Sequence, residues 1–543
     1  MASETKDTFQ RKAYRPNEAR TPGFPTVAAE RAAPEPVREK IAVFASHGMG
    51  QQIPFQTMDS IASGLLRAAG AKNTEIGTRT VKLGNPAITV QRIEFDADDA
   101  EGNPVEIHVY EGYWAPLTEG MVKGKEVVSF FLGGAWNGIT EGKTFKRWFF
   151  GSYKEPHRAP NTSRTTWHLA MAALTLLSLV LFNAVIGAVA MGRLIKLVPS
   201  SHAWPNDELL GALTTVIAVF SLVALVYLGL LLLASFLKGK MPQSPPGWWK
   251  AYNRILWWLF FFFLYATVAT AIAVVWLIVQ DHYFSCPDEV HCPPEFAWVI
   301  PGLAGKWPIV WGLLFFVSGV VRAFVIQYVG DVAAYITPHK LDRFTELRTK
   351  IRQAVFDVAQ AVYSDRDENG DLTYSRIGII GHSLGSVVVY DVLNRLLVTD
   401  DLNDCALKVE ERTRVLVTFG CPLDKAAYLF GLQGKQTTET REALAASLQP
   451  LILDYERFRT MKWVNVHAPF DIFSGALAFY DDDAAPGYTD ERKVDNVVDP
   501  YADVPLVAHT EYWQGTTIYS HLYQGLSTPK PGGPSGPGKI VLP

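Results

Sequence analysis

Four long apolar stretches, at about 167–191, 209–237, 255–279 and 307–329, occupy the middle of this 543-residue chain. A helix needs about 20 apolar residues to cross the hydrocarbon layer of a bilayer, and each stretch has them. The first three contain no Asp, Glu, Lys or Arg, whereas a helix lying on a water-soluble core keeps a polar face. Pro308 opens the fourth, and Arg322 lies near its end, where a long cationic side chain can reach the headgroups. Trp249, Trp257, Trp258 and Trp307 sit close to the ends of the stretches, as interfacial anchors do. The pattern predicts four membrane-spanning helices, with any water-soluble domain built from the chain on either side of them.

Two glycine-rich turns lie in those flanks. Ile41-Ala42-Val43-Phe44-Ala45-Ser46 reads as a buried strand and runs into His47-Gly48-Met49-Gly50. Arg376-Ile377-Gly378-Ile379-Ile380 reads as a second strand and runs into Gly381-His382-Ser383-Leu384-Gly385, after which Ser386 to Leu393 keep a helical register. Strand, sharp turn and helix in that order need glycine on both sides of Ser383, because a Cβ at either place would clash. The same turn leaves the serine Oγ exposed above the sheet edge.

On these residues the chain resembles the α/β-hydrolase superfamily, specifically its lipases and esterases. The resemblance implies a serine nucleophile at Ser383 and an oxyanion hole made by the backbone N–H of Leu384 with that of Gly48 or Met49. It also implies the order serine, then acid, then histidine. Three histidines follow Ser383. His467 lies in a strand pattern and is read as a packing residue. His509, in Leu506-Val507-Ala508-His509-Thr510-Glu511-Tyr512-Trp513, resembles the late H-x-x-Y-W loop of some lipase-like hydrolases and is preferred as the base, with His521 the alternative. Asp471, just past the strand pattern ending in Val464-Asn465-Val466-His467, is preferred as the acid. Asp424 is the alternative, at the end of another strand-like segment, where it could equally cap a helix.

If both glycine turns belong to one active site, the chain between them must return to the side it left, so the number of crossings is even, and four satisfies this. Lysines and arginines crowd the approach to the first span (Lys143, Lys146, Arg147), the loop after the second (Lys238, Lys240, Lys250, Arg254) and the exit from the last (Lys340, Arg343, Arg348). The loop at 281–306 instead carries Asp281, Asp288, Glu289 and Glu295 against one lysine. Positive-inside reasoning places both halves of the hydrolase domain in the cytoplasm, with a bacterial inner membrane as the expected location. Cys286 and Cys292 share the acidic outer loop and could form a disulfide there; Cys405 and Cys421 are expected to be reduced.

The expected fold is therefore α/β: an α/β-hydrolase sheet with helices on both faces, interrupted by a four-helix transmembrane insertion. Its parts are a tail at 1–37, an N-terminal hydrolase part at 38–120, an aromatic and basic interfacial lead-in at 121–166, the spans within 167–329, a C-terminal hydrolase part at 330–526 and a Pro/Gly-rich tail at 527–543. A net charge of −4 without a basic, aromatic-laced cluster excludes nucleic acid as a partner, and no cysteine and histidine spacing forms a zinc site. No cofactor is expected. The expected partners are membrane lipids, and the expected substrate is a lipid or other acyl ester. A thioesterase, an acyltransferase or an inactive membrane scaffold are the alternatives that the same residues allow.

Overall fold

The structure is a computed structural model that describes residues 38–49, 52–70, 75–84, 87–118, 129, 131–133, 135–136, 162–195, 207–284, 304–319, 335, 342–425, 451, 461–477, 480 and 494–527. A strand with apolar residues at successive positions needs cover on both faces of its sheet. Strand β1 (Glu39–Ser46) has that character: Ile41, Val43 and Ala45 enter one core, while Ala42 and Phe44 enter the other. The other strands are β2 (Gly77–Leu83), β3 (Ile88–Asp98), β4 (Pro104–Glu111), β5 (Arg376–His382), β6 (Thr413–Phe419), β7 (Lys462–His467) and β8 (Asp495–Val498). They form one eight-stranded sheet in the order β2-β3-β4-β1-β5-β6-β7-β8. Strands β2, β3 and β4 pair antiparallel, and every pairing from β4 through β1 to β8 is parallel. Both β5 and β6, central and covered on both faces, are buried along their whole length.

The α-helices described along their whole length, together with the described part of α5, are, in chain order, α1 (Gln56–Ala68), α2 (Thr162–Ile195), α3 (Asp207–Lys238), α4 (Gly247–Phe284), α5 (Trp307–Gly319), α6 (Asp342–Ser364), α7 (Leu384–Leu402), α8 (Val409–Arg412), α9 (Ala508–Glu511) and α10 (Thr517–Ser527). Ile61 and Leu65 of α1, with Ile518 and Leu522 of α10, cover one sheet face. Ile351 and Val355 of α6, with Val388 and Leu393 of α7, cover the other. The expected strands at 41–46, 376–380 and 463–467 are β1, β5 and β7. Strand β8 and helix α10 carry no pattern that the sequence made legible.

Helices α2, α3 and α4 are each long and apolar enough to span a membrane. Large apolar side chains stand exposed around them, among them Leu222, Phe236, Phe262, Ile272 and Trp276, which water would not tolerate and lipid would. Their shared interior includes Phe182, Leu213 and Val274 with Trp311 of α5, and Asn183 donates to the Ser318 hydroxyl at 3.0 Å. Of the expected fourth span only Trp307–Gly319 is described, and it is helical. The tail at 1–37, most of the lead-in, Cys286 with Cys292, and the expected tail at 527–543 apart from Ser527, which ends α10, lie outside the described residues.

The turn from α3 to α4 packs directly on the sheet domain. Tyr227, Trp249 and Leu256 form one buried cluster with Val504. Trp257 packs its ring on Phe470 at 5.7 Å between centroids.

Candidate active site

The carboxyl ends of β1, β5 and β7 meet at one edge of the sheet, the usual place for a ligand in an open parallel sheet. At the end of β5 the backbone turns sharply into α7. Ser383, the N-cap, sits at φ 53°, ψ −128°, a positive φ that an L-residue adopts only when its surroundings hold it there. Here the glycines are explained by contact distances. A Cβ on Gly381 would lie 2.7 Å from Ser386 Cα, and one on Gly385 would lie 2.2 Å from the His47 carbonyl oxygen. The turn is pinned by Ser383 N–H donating to Phe419 O at 2.9 Å and by the Ser386 hydroxyl donating to Gly381 O at 2.5 Å.

The three preferred residues come together. His509 Nε2 lies 2.8 Å from Ser383 Oγ, and His509 Nδ1 lies 2.9 Å from Asp471 Oδ2. Asp471 Oδ1 accepts the Phe473 N–H at 2.8 Å, and Oδ2 also accepts the Tyr512 hydroxyl at 2.9 Å. Burial works to raise the Asp471 carboxyl, but its electrostatic and hydrogen-bond interaction with His509, with those two donors, outweighs it and holds the group far below the ordinary carboxylate range. An ionised Asp471 fixes the imidazole with Nδ1–H towards the acid and the Nε2 lone pair towards the serine.

Neither alternative joins this array. Asp424 pairs with Lys425 at 3.3 Å, and Lys425 donates onward to Ser474 O at 3.0 Å. His521, on α10, has Lys462 and Asp495 as its charged neighbours. Those residues open β7 and β8, so His521 lies towards the amino ends of the strands, the wrong end of the sheet.

The loop after β1 closes over the serine. A Cβ on Gly48 would come within 3.0 Å of Ser383 Cβ, so the loop passes as near as glycine permits. Met49 is buried in the same core as Leu384, and its carbonyl accepts the Gln52 amide at 3.0 Å. Leu384 opens α7, where a first-turn N–H has no partner within the helix. Gly48, by its closeness, and Leu384, as the next residue in the chain, thus adjoin Ser383.

His47 does not face the serine as a reactive group. Its Nε2 accepts the backbone N–H groups of Trp114 and Ala115 at 3.0 and 3.2 Å, its Nδ1 donates to Gly48 O at 2.8 Å, and the Trp114 ring stacks on it. Burial pushes its pKa down to about 4, so the neutral imidazole acts as a clamp between two loops. This accounts for the aromatic segment Glu111-Gly112-Tyr113-Trp114 as packing.

One expectation is corrected. The sequence argument leaves the Ser383 hydroxyl exposed, yet Ser383 has no solvent exposure. The 47–49 loop lies against it on one side, and on the other the Phe473 ring packs on His509 at 4.8 Å.

Two residues of the site carry no role in the sequence reading. His382 stacks on Phe419, lies 5.0 Å from the His509 ring and bonds His509 O through Nε2 at 2.9 Å. Burial, then the neighbouring His509, lowers its pKa to about 3, so it is neutral and donates that bond. Tyr512 is the tyrosine of the H-x-x-Y-W segment; a spacing of three on a helical turn puts it on the same face as His509, a signal that could have assigned it. Away from the site, the ligand atoms of Glu94, Glu106 and His108 lie within 4.8 Å of one another. They are already engaged, by Arg92 on Glu94 at 2.7 Å and by His108 on Glu106 at 2.7 Å, so they do not fit a metal centre. No family model, curated protein or solved structure matches this chain.

Proposed function

We propose that the protein is a membrane-anchored serine hydrolase of the α/β-hydrolase type that acts on lipid esters. The observation that carries this reading is the unbroken relay from Ser383 Oγ through His509 to Asp471, at 2.8 and 2.9 Å, mounted on a strained turn at the carboxyl end of β5. Oγ attacks the ester carbonyl as His509 Nε2 takes its proton. The tetrahedral oxyanion is received by the N–H of Leu384 and that of Gly48 or Met49. Collapse transfers the proton to the departing alkoxide and leaves an acyl-Ser383. Water then attacks that ester by the same route and releases the carboxylic acid.

Lipid is the favoured substrate class because the membrane helices abut the site. Trp257 of α4 packs on Phe470, the residue before Asp471. A fully buried serine also favours a substrate delivered through an apolar route over one captured from open solvent. The insertion is read as four spans. Helix α4 starts beside the sheet domain at 247 and runs 38 residues away from it, whereas α6 is back on the sheet, so one more crossing is needed and α5 supplies its described part. The basic loops on the sheet-domain side support the reading that this domain faces the cytoplasm, with a bacterial inner membrane as the proposed location.

The test is a fluorophosphonate label on the detergent-solubilised full chain, with ester hydrolysis measured in parallel. The parent should label at Ser383 and hydrolyse, and Ser383→Ala should do neither, with a rate loss of several orders of magnitude. A Ser383→Ala chain within about tenfold of the parent, or about 1.4 kcal/mol of barrier, refutes the reading.

A further inference from the structure

We propose that the turn between the second and third membrane helices is a positioning element for His509, acting through Lys238 and Trp249 on Asp503; the inference rests on the triad reading above. Lys238 closes α3 and Trp249 lies in the first turn of α4. Both are buried, and both reach the same carboxylate. Lys238 Nζ donates to Asp503 Oδ1 and to the Tyr501 carbonyl, and Trp249 Nε1 donates to Asp503 Oδ2 at 2.9 Å. From Asp503 the connection runs to the base. The N–H groups of Asp503 and Val504 donate to Glu511 Oε2 at 2.9 and 3.0 Å, and the Val504 carbonyl accepts the Ala508 N–H at 2.7 Å. Glu511 and Ala508 are the two ends of α9, the single turn that carries His509.

Three further observations show that this segment is held from outside. Leu506, three residues before His509, has φ 66°, a left-handed conformation that a leucine keeps only under constraint. Glu511 is buried, and burial pushes its pKa up to about 7 against the pull of Lys238, whose Nζ is 3.9 Å away. On the opposite side His382 is the counter-support, through its bond to His509 O. Without the lysine, a buried carboxylate pair loses its only cation among these contacts, and the loop must rearrange. Because a nucleophile and its base tolerate little misplacement, displacement of α9 would slow chemistry before it weakened substrate binding.

The experiment uses the full chain in nanodiscs, a soluble nitrophenyl acetate, and kcat counted per active site titrated with a fluorophosphonate, so that loss of folded protein does not register. Lys238→Met removes the charge and keeps the stem, and Trp249→Phe removes one N–H donor and keeps a ring. Lys238→Met should lower kcat at least about tenfold and Trp249→Phe about threefold, with KM within about twofold of the parent and phosphonylation of Ser383 slowed by matching factors. If Lys238→Met fails to fold, Trp249→Phe decides alone. Folded variants that keep kcat within about 1.5-fold, or that change KM and leave kcat untouched, overturn the proposal. A parent chain that the fluorophosphonate does not label overturns the triad reading itself, and this inference with it.

Discussion

Tyr512 donates its hydroxyl to Asp471 Oδ2 at 2.9 Å and so shares that oxygen with His509 Nδ1. The tyrosine and the histidine thus fix the carboxylate from two directions, and the Phe473 N–H holds its other oxygen. Asp471→Asn should lower kcat by about four orders of magnitude, because the amide favours the wrong imidazole tautomer. Tyr512→Phe leaves the carboxylate its other partners and should cost about three- to tenfold, a fraction of what a hydrogen bond to a charged group can contribute. Asp424→Asn should stay within about threefold, since its partner is Lys425 rather than the histidine. The three rates, measured on one soluble ester, would misplace the acid if Asp424→Asn proved the inactive variant.

Mild acid should act on the buried imidazoles before it protonates Asp471. His47 and His382 are buried and neutral, with pKa values lowered from 6.5 to about 4 and about 3. In the unfolded chain both take up a proton near pH 6.5, and in the folded chain neither does. Their contribution to stability is therefore complete above about pH 6.5 and falls with pH down to the folded values, by about 1.4 kcal/mol per pH unit for each. Asp471 has a lowered pKa, so its own contribution is lost only further down, as pH passes through that low value. Buried Glu111 and Glu511, which burial raises to about 7, act in the opposite sense over the same window, so the test is a difference: between pH 7.5 and 5 the urea midpoint of the parent should fall more, or rise less, than that of His382→Gln. Parallel midpoint curves for the two chains would show that the His382 imidazole is not held neutral.

The elbow was legible because its constraint is local: Gly381, Ser383 and Gly385 are fixed by contacts within one turn and with the end of β1. Apolar runs such as Ile41 to Ala45 and the three long apolar helices were legible for the same reason, since period and length are properties of neighbouring residues. Strand β8 is only four residues, Asp495–Val498, and its place is set by pairing with β7 rather than by its own pattern. His382 reads as a spacer in the motif until the fold brings His509 to it, 127 positions later. The contact of Lys238 with Asp503 spans 265 positions and joins a membrane helix to a loop, so nothing near either residue announces it. The expected exposure of Ser383 failed because a turn predicts where a side chain points and not what lies over it.

Topology gives an independent check. Lys238 and Trp249 touch the sheet domain, so if α3 and α4 cross a membrane the turn between them shares a side with Ser383. A reporter placed after Lys240 should give a cytoplasmic signal, and one placed after Glu289 should give the opposite signal. Matching signals at the two sites would mean that α4 does not cross.

The aromatic contacts at the membrane face bear on chain length. Trp257 of α4 packs on Phe470 at 5.7 Å, and Phe473, two residues beyond Asp471, packs on His509 at 4.8 Å. If the substrate is a lipid ester, these rings are the expected cover for its acyl chain along the path between α4 and the serine. Each methylene that such a path buries contributes about 0.8 kcal/mol, so kcat/KM should rise up to about fourfold per methylene until the path is filled. Trp257→Ala and Phe470→Ala should flatten that rise, lowering kcat/KM for octanoate and longer esters by about tenfold or more while leaving acetate within about twofold. The two substrates separate the roles, because damage to the triad lowers both and damage to the path lowers only the long one. A parent chain that turns over acetates far better than octanoates or phospholipids in mixed micelles would rule out the lipid assignment and leave a small-ester hydrolase in its place.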